Sequence, residues 1–148
     1  MILNFQSILI LVSLLGFNCH VDTDKIKPSI ELISPVDISE IRQGEALKVS
    51  VVLSDNIALE DYKISIAKGG SEDLCFVKSF SCNHLTNACV DADGNALPII
   101  KGKQNVKIDF NIGVEKDAFV GDYYFSLVVK DKAGNKHIKK RCFTVTRC

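Results

Sequence analysis

Acidic and amide side chains follow two of the predicted strands, where they have the chemistry to bind a metal ion. Asp55 and Asn56 come directly after one alternating apolar run, and Asp131 and Asn135 flank the turn after another. If these runs are strands of a sandwich, both loops emerge at the same end of the fold. Calcium prefers about six to eight oxygen ligands, carboxylates among them, so these four residues are the candidate ligands. The alternative is that Asp and Asn only cap their own turns by bonding to the backbone.

Other candidates for chemistry match known patterns poorly. The run from Asp91 to Asn95 is similar to the start of an EF-hand loop, but Gly102 stands where that loop needs a bidentate Glu, so the run predicts a turn. Cys82, His84 and Cys89 are metal-ligand types, but their spacing matches no common zinc motif. The sequence has no G-x-S-x-G elbow, no phosphate-binding glycine loop after a strand and no H-E-x-x-H. We therefore expect no enzyme activity and no cofactor, with calcium as the one possible exception.

The N-terminal residues differ in character from the rest of the chain. Residues 8–17 form an apolar run interrupted only by Ser13 and Gly16. The run is too short to span a bilayer and has the length of the hydrophobic region of a signal peptide. We predict that residues 1–18 are a signal peptide and that the chain is exported. The alternative is a transmembrane anchor lengthened by the uncharged flanks.

Cys19 directly follows this apolar run. The stretch Leu15-Gly16-Phe17-Asn18-Cys19 resembles the lipobox of bacterial lipoproteins, in which the cysteine is acylated and becomes the mature N-terminus. It departs from the usual pattern at Asn18, where a small residue is commoner, and at Phe17. The resemblance implies a lipid on Cys19, attachment to a membrane and a polar tether over residues 19–27. In the alternative, Cys19 forms a disulfide in an ordinary secreted protein.

Six cysteines in an exported chain indicate an oxidising compartment and disulfides. With Cys19 acylated, an odd number of disulfide candidates remains, so at least one lacks a partner within the chain: Cys75, Cys82, Cys89, Cys142 and Cys148. The last two lie in one extended segment, about 20 Å apart at about 3.3 Å per residue. A disulfide requires Cα atoms within about 7 Å, so we expect the terminal strand to be tied to the segment that carries the other three. The connectivity stays open.

Balanced charge argues against a nucleic-acid partner. The 148 residues include 18 basic and 18 acidic side chains. The basic residues form no stripe, and a basic stripe is the electrostatic feature expected of a DNA- or RNA-binding protein. The length suits one domain with short additions. Residues 28–148 consist of short segments in which apolar and polar residues alternate, separated by turns. No segment shows a convincing helical period. This pattern predicts an all-β sandwich of about seven strands with a cysteine-bearing insertion.

The clearest strand begins at Gly121 and ends in a turn that contains Gly134. Its odd positions from Tyr123 to Val129 are apolar or aromatic, which places one face of the strand on a core. Tyr123 lies near the strand start, where a tyrosine corner would bond its hydroxyl to the upstream backbone. In the last strand Ile138 stands at an even position and Phe143 at an odd one, so in a regular strand their side chains point to opposite faces. Since both are apolar, we predict a bulge near residues 140–141 that brings them to the same face. Tyr62, Phe76 and Phe80 are interpreted as core residues, with an exposed aromatic surface as the alternative.

The run from Gly121 to Asn135, with its G-x-Y start and D-x-A-G-N end, resembles the signature of bacterial Ig-like and cadherin-like surface modules. Asp55-Asn56 resembles the D-N that follows the second strand of these modules. With these motifs and the lipobox-like start, the chain is similar to the Ig-like lipoproteins of unknown function found in Bacteroidetes. The resemblance covers roughly residues 26–145. The cysteine-bearing insertion departs from that pattern.

The resemblance implies an antiparallel Ig-like β-sandwich over residues 28–148, an outer-membrane or cell-envelope location and no known catalysis. We expect a lipid-anchored module that binds a protein or glycan, or that serves as an accessory subunit of a surface assembly. The alternative is a calcium-stabilised, secreted adhesion-type domain.

Overall fold

A computed structural model describes residues 23–69, 80 and 90–148. The predicted signal peptide, Cys19, Cys75, Cys82 and Cys89 lie outside the described residues. Seven strands are present in the described part of the chain: β1 (Ser29–Ser34), β2 (Ser39–Arg42), β3 (Ala46–Ser54), β4 (Leu59–Lys68), β5 (Asn105–Gly113), β6 (Gly121–Asp131) and β7 (Lys136–Thr146). No helix in these ranges is long and apolar enough to cross a membrane.

The strands form two sheets that pack face to face. One sheet has the order β1-β3-β5, and the other has the order β2-β7-β6-β4. All neighbours are antiparallel except β2 and β7, which are parallel. This two-sheet arrangement is an Ig-like sandwich, so the predicted fold class is confirmed.

Alternating side chains on the inner faces fill the space between the sheets. In β3 the side chains of Leu47, Val49, Val51 and Leu53 are at most 4% exposed, and the intervening Lys48 is exposed. In β6 the alternation that starts at Tyr123 is buried in the same way, ending at Asp131. Period-two burial of this kind is what a sheet with one face on a core requires, and it is the signal that placed these strands from the sequence.

The first part of the chain contributes a strand to each sheet. β1 lies at the edge of the three-stranded sheet, and the chain then crosses over so that β2 pairs with β7, placing Ile41 beside Val145. β2 was not expected from the sequence. It is only four residues long, and Ile41 is its one buried side chain.

The predicted bulge in the last strand is wrong. β6 and β7 pair in unbroken register from Gly121 opposite Val145 to Lys130 opposite Lys136. Ile138 lies on the outer face of the sheet, where 53% of it is exposed, whereas Phe143 is fully buried on the inner face. The change of parity therefore reflects an exposed isoleucine and not an extra residue in the strand.

Phe80 belongs to the core, as the sequence indicated. It is 8% exposed, and its ring makes edge contacts with Tyr123 and Phe143 at centroid distances of 5.1 and 6.0 Å. Tyr62 is half-buried and packs against the same core. The run from Asp91 to Asn95 forms the predicted turn, closed by a bridge between Val90 and Ala96 and by amides that donate to the Asp91 carboxylate.

Candidate functional site

Three carboxylates meet at one pole of the sandwich. Asp24 precedes β1, Asp55 follows β3 and Asp131 ends β6, and each offers an oxygen within 4.8 Å of the other two. Asp131 is 1% exposed and Asp55 is 9% exposed, while Asp24 is half-buried. We call these three residues the acidic cluster.

Strand pairing brings the acidic cluster together. Ser29 at the start of β1 pairs with Ser54 at the end of β3, so the residues before β1 lie beside the loop after β3. Across the sandwich, Leu59 at the start of β4 pairs with Asp131 at the end of β6. Three chain segments that are distant in sequence therefore converge on one pole.

Each carboxylate has local hydrogen bonds that fix its position. Oδ2 of Asp55 accepts from the amides of Ile57 and Ala58, at 2.9 and 2.7 Å. The two oxygens of Asp131 accept from the backbone amide and the side-chain amide of Asn135, both at 2.8 Å. Oδ1 of Asp24 accepts from the amide of Ile26 at 2.9 Å.

Two oxygens of the acidic cluster take no part in these hydrogen bonds. Oδ1 of Asp55 and Oδ2 of Asp24 are buried and have no hydrogen-bond partner. A buried oxygen without a partner carries an uncompensated desolvation cost, commonly about 1–3 kcal/mol and more for a charged group. The two unpartnered oxygens are therefore acceptors inside the acidic cluster that the protein itself does not use.

The described part of the chain supplies no ion-pairing cation to the cluster. Among the described residues, no Lys or Arg nitrogen forms an ion pair with Asp24, Asp55 or Asp131 within 4.0 Å. Two ionised carboxylates 4.8 Å apart repel each other by about 3–4 kcal/mol at an effective dielectric constant of about 20. A cavity of about 280 Å³ adjoins the cluster, and Lys132 is one of the residues that line it. The hydrogen bond from Lys101 is the main cause that lowers the pKa of Glu60, and the charge of Lys132 adds to this effect.

The structure places the four predicted calcium ligands differently from one another. Asp55 and Asp131 belong to the acidic cluster. Asn56 is exposed, and its backbone carbonyl accepts from Nε2 of Gln104. Asn135 faces the cluster with its amide nitrogen, which also lies 3.0 and 3.2 Å from the carbonyl oxygens of Asp24 and Ile26.

Asp24 was missed by sequence reasoning, because residues 19–27 read as a polar tether. In the structure residues 24–26 of that segment are bonded to the sandwich through Asn135. The antiparallel pairing of β1 with β3 was the available signal. It places a residue just before β1 beside those just after β3.

Tyr123 makes the contact that the tyrosine-corner hypothesis requires. Its hydroxyl donates to the carbonyl of Phe119 at 2.7 Å, and its ring stacks on Phe143 at a centroid distance of 5.7 Å. The two predicted turn glycines both have a positive φ, 128° at Gly121 and 93° at Gly134. Gly134 follows Asp131 in a turn that its amide closes by donating to the Asp131 carbonyl.

The two described cysteines are not bonded to each other. Cys142 is half-buried on β7 and Cys148 is exposed. Partial burial, together with the negative charges of Asp122 and Asp37, raises the pKa of the Cys142 thiol and keeps it protonated. Their pairing with the other cysteines stays a prediction.

A second cavity, of about 320 Å³, lies between the start of β4 and the segment 97–100. Tyr62 borders it and donates its hydroxyl to the carbonyl of Pro98 at 2.9 Å, and burial raises the pKa of Tyr62 to about 12. At the rim Glu60 accepts from Lys101 at 2.6 Å, and this bond lowers the Glu60 pKa. Both titratable groups thus have structural partners.

The opposite pole of the sandwich, which we call the distal pole, has a different character. β4 ends there at Lys68, opposite Tyr123, so the segment that carries Cys75, Cys82 and Cys89 begins at this pole. Phe119 and Val120 precede β6 there and are 56% and 40% exposed. The Lys68 ammonium lies 5.0 Å from the centre of the Phe119 ring.

Comparisons with known proteins identify the family and the fold. No curated protein matches the chain. Among solved structures, the GspB Siglec domain aligns with a TM-score of 0.53 at 15% identity, over 84% of this chain and 60% of that domain. A DUF4466 family protein from Parabacteroides merdae aligns with a TM-score of 0.48 at 12% identity, over 77% of this chain and 42% of its own. The BIgI domain of beta protein from S. agalactiae, solved bound to CEACAM1, aligns with a TM-score of 0.39 at 21% identity, over 81% of this chain and 99% of that domain.

At 15% identity the likeness to the Siglec domain shows the fold alone, and the chain spans about 60% of that domain's length. A family model, by contrast, matches residues 17–146, which include all seven strands. The chain therefore belongs to the DUF4625 family, a domain of unknown function.

Proposed function

We propose that the protein is a non-catalytic binding module of the cell envelope. In this proposal a lipid on Cys19 anchors it, and the distal pole binds a protein or glycan partner or docks into a surface assembly. The observation that carries the proposal is the placement of two features at opposite poles. The N-terminal segment joins the sandwich at the acidic cluster, and the cysteine-bearing segment begins at the distal pole.

Chain length sets how close the anchor lies to the acidic cluster. Asp24 is five positions after Cys19, and a fully extended chain covers at most about 3.6 Å per residue. A lipid on Cys19 would therefore lie within about 18 Å of the acidic cluster, which would face the membrane.

The distal pole would then project away from the membrane. β6 runs between the two poles over 11 residues, a distance of about 33 Å at about 3.3 Å per residue. Phe119 and Val120 are adjacent exposed apolar side chains at this far end, and contiguous exposed apolar surface is a mark of partner-contact sites. Loops held by a rigid sandwich are also where binding residues concentrate.

The anchor is tested by the intact mass of the membrane-associated protein after alkylation without reduction. We expect a mass that begins at Cys19 and includes acyl chains, and we expect Cys19→Ala to abolish acylation. The number of alkyl groups counts the free thiols among the other five cysteines. An unacylated mature protein with all six cysteines paired would instead identify a secreted domain and overturn the anchored part of the proposal.

The binding surface is tested by photo-crosslinking in intact cells and by a glycan array. A crosslinking residue replaces Phe119 at the distal pole or, as the control, the exposed Lys107 on β5. We expect a discrete adduct from position 119 and none from position 107, or glycan binding that Phe119→Ser abolishes. Equal labelling at both positions, or no adduct and no glycan binding, would refute binding through the distal pole.

A further inference from the structure

We infer that Asp24, Asp55 and Asp131 form a calcium site that fastens the N-terminal segment to the sandwich. The inference needs neither the lipid nor a partner, so it stands or falls separately from the proposed function. It adds Asp24 to Asp55 and Asp131, the two carboxylates already expected from the sequence.

The strongest support is the bonding of Asp55. The residue is only 9% exposed. Oδ2 is held by two loop amides, which leaves Oδ1 without a partner inside a cluster of three carboxylates. Oδ2 of Asp24 is buried and unpartnered in the same cluster. A cation among these oxygens would satisfy both atoms and neutralise the cluster.

The ligand chemistry and spacing favour calcium. Carboxylate oxygens are hard ligands, whereas zinc sites in proteins are built mainly from thiolate and imidazole. Oxygens on opposite sides of a calcium ion are about 4.6–5.2 Å apart, and those around magnesium about 4.2 Å apart. The ligand oxygens here all lie within 4.8 Å of one another, less than the largest separation of two oxygens on one calcium ion. The adjoining cavity of about 280 Å³ has room for the waters that would complete the coordination.

The site would couple cation binding to the position of the N-terminal segment. Asp55 and Asp131 belong to loops of the sandwich, whereas Asp24 lies before the first strand. Asn135 already holds the carbonyls of Asp24 and Ile26 and one oxygen of Asp131. Because a ligand stabilises the state that presents all its donors, calcium would stabilise the docked form of residues 24–26.

Calorimetry on the full-length chain tests the site. The protein is purified in detergent, stripped with EDTA and titrated with calcium chloride or magnesium chloride, and its melting temperature is measured with each. We expect one calcium bound per chain, a higher melting temperature in calcium and a weaker response to magnesium. No binding and no change in melting temperature at millimolar calcium would overturn the site.

Asp24→Asn is the decisive variant, with Asp61→Asn as its control. Asp24 lies outside the strands, and asparagine keeps an oxygen to accept from Ile26, so folding without calcium should be unchanged. We expect the calcium dissociation constant to rise at least about tenfold, since carboxylate count sets affinity in such sites. Asp61 is an exposed acid near the same pole, and its variant should bind like the wild type. Wild-type affinity in Asp24→Asn would refute the proposed ligand set.

Amide hydrogen exchange tests the fastening itself. Calcium should slow exchange at residues 24–27 in the wild type and leave it unchanged in Asp24→Asn. Calcium binding without added protection of these amides would contradict the coupling while leaving a binding site on the two loops.

Discussion

Replacing Tyr123 by Phe removes one hydroxyl from a buried side chain near the start of β6. The Tyr123 ring is 2% exposed and packs against Phe80 and Phe143, contacts that a phenylalanine ring keeps. The lost interaction is the 2.7 Å bond to the Phe119 carbonyl, which fixes the loop before β6.

The expected cost follows from the surroundings of the bond. A hydrogen bond contributes about 0.5–1.5 kcal/mol net, and a buried acceptor left unpaired costs about 1–3 kcal/mol. The bond itself is only partly buried, so water can reach the carbonyl in part. We therefore expect Tyr123→Phe to lower the free energy of unfolding by about 1–2 kcal/mol. For a domain of this size that corresponds to about 3–8 °C in melting temperature.

Circular dichroism is the suitable assay, since the chain has no Trp. Urea and thermal unfolding are compared for the wild type, Tyr123→Phe and Tyr124→Phe. Tyr124 neighbours Tyr123 but lies on the outer face of the sheet, 39% exposed, so losing its hydroxyl should change stability by less than about 0.5 kcal/mol. Equal losses in the two variants, or no loss in Tyr123→Phe, would refute the role assigned to the Phe119 bond.

Two further substitutions test local features. Ile38 is 83% exposed and has a φ of 59°, which is strained for a β-branched residue, so Ile38→Asn should stabilise the fold by about 1 kcal/mol in thermal melts, whereas Ile138→Asn on β7 should not. Ser50 donates to Asp109 at 2.5 Å and thereby lowers the Asp109 pKa, so in Ser50→Ala an NMR titration should show that pKa rising toward 3.8. A lowered folded-state pKa adds stability above the unfolded-state pKa and loses it on acidification, so the stability difference between wild type and Ser50→Ala should shrink as pH falls below 3.8. An unchanged Asp109 pKa would contradict the assignment.

The fold could be predicted where one face of a strand is buried along its whole length. β3, β5 and β6 alternate in this way, and their positions followed from the period alone. β2 could not be found so, because four residues with a single buried side chain carry no period. Ile138 misled for a related reason, since an exposed isoleucine looks like a core residue until its burial is known.

The acidic cluster could be predicted only in part. Asp55 follows β3 and Asp131 ends β6. In a sandwich the loops after these two strands emerge at the same end, so the sequence alone places both residues at one pole. Asp24 precedes a short edge strand inside a polar segment, and its contact with Asp55 depends on the register of β1 against β3. That register is set by packing across the sheet, which composition does not reveal.

Because β2 and β7 pair in parallel, the domain resists a pulling force more strongly in one direction than in another. β2 lies near the N-terminal end of the described chain, and β7 ends two residues before Cys148. Tension between the two ends would slide these strands past each other, loading the pairs from Ser39–Phe143 to Arg42–Thr146 together instead of one after another. The same strands pulled apart sideways would separate like a zipper. A strand of four residues thus makes the sandwich stiffer to stretching along the chain than to peeling.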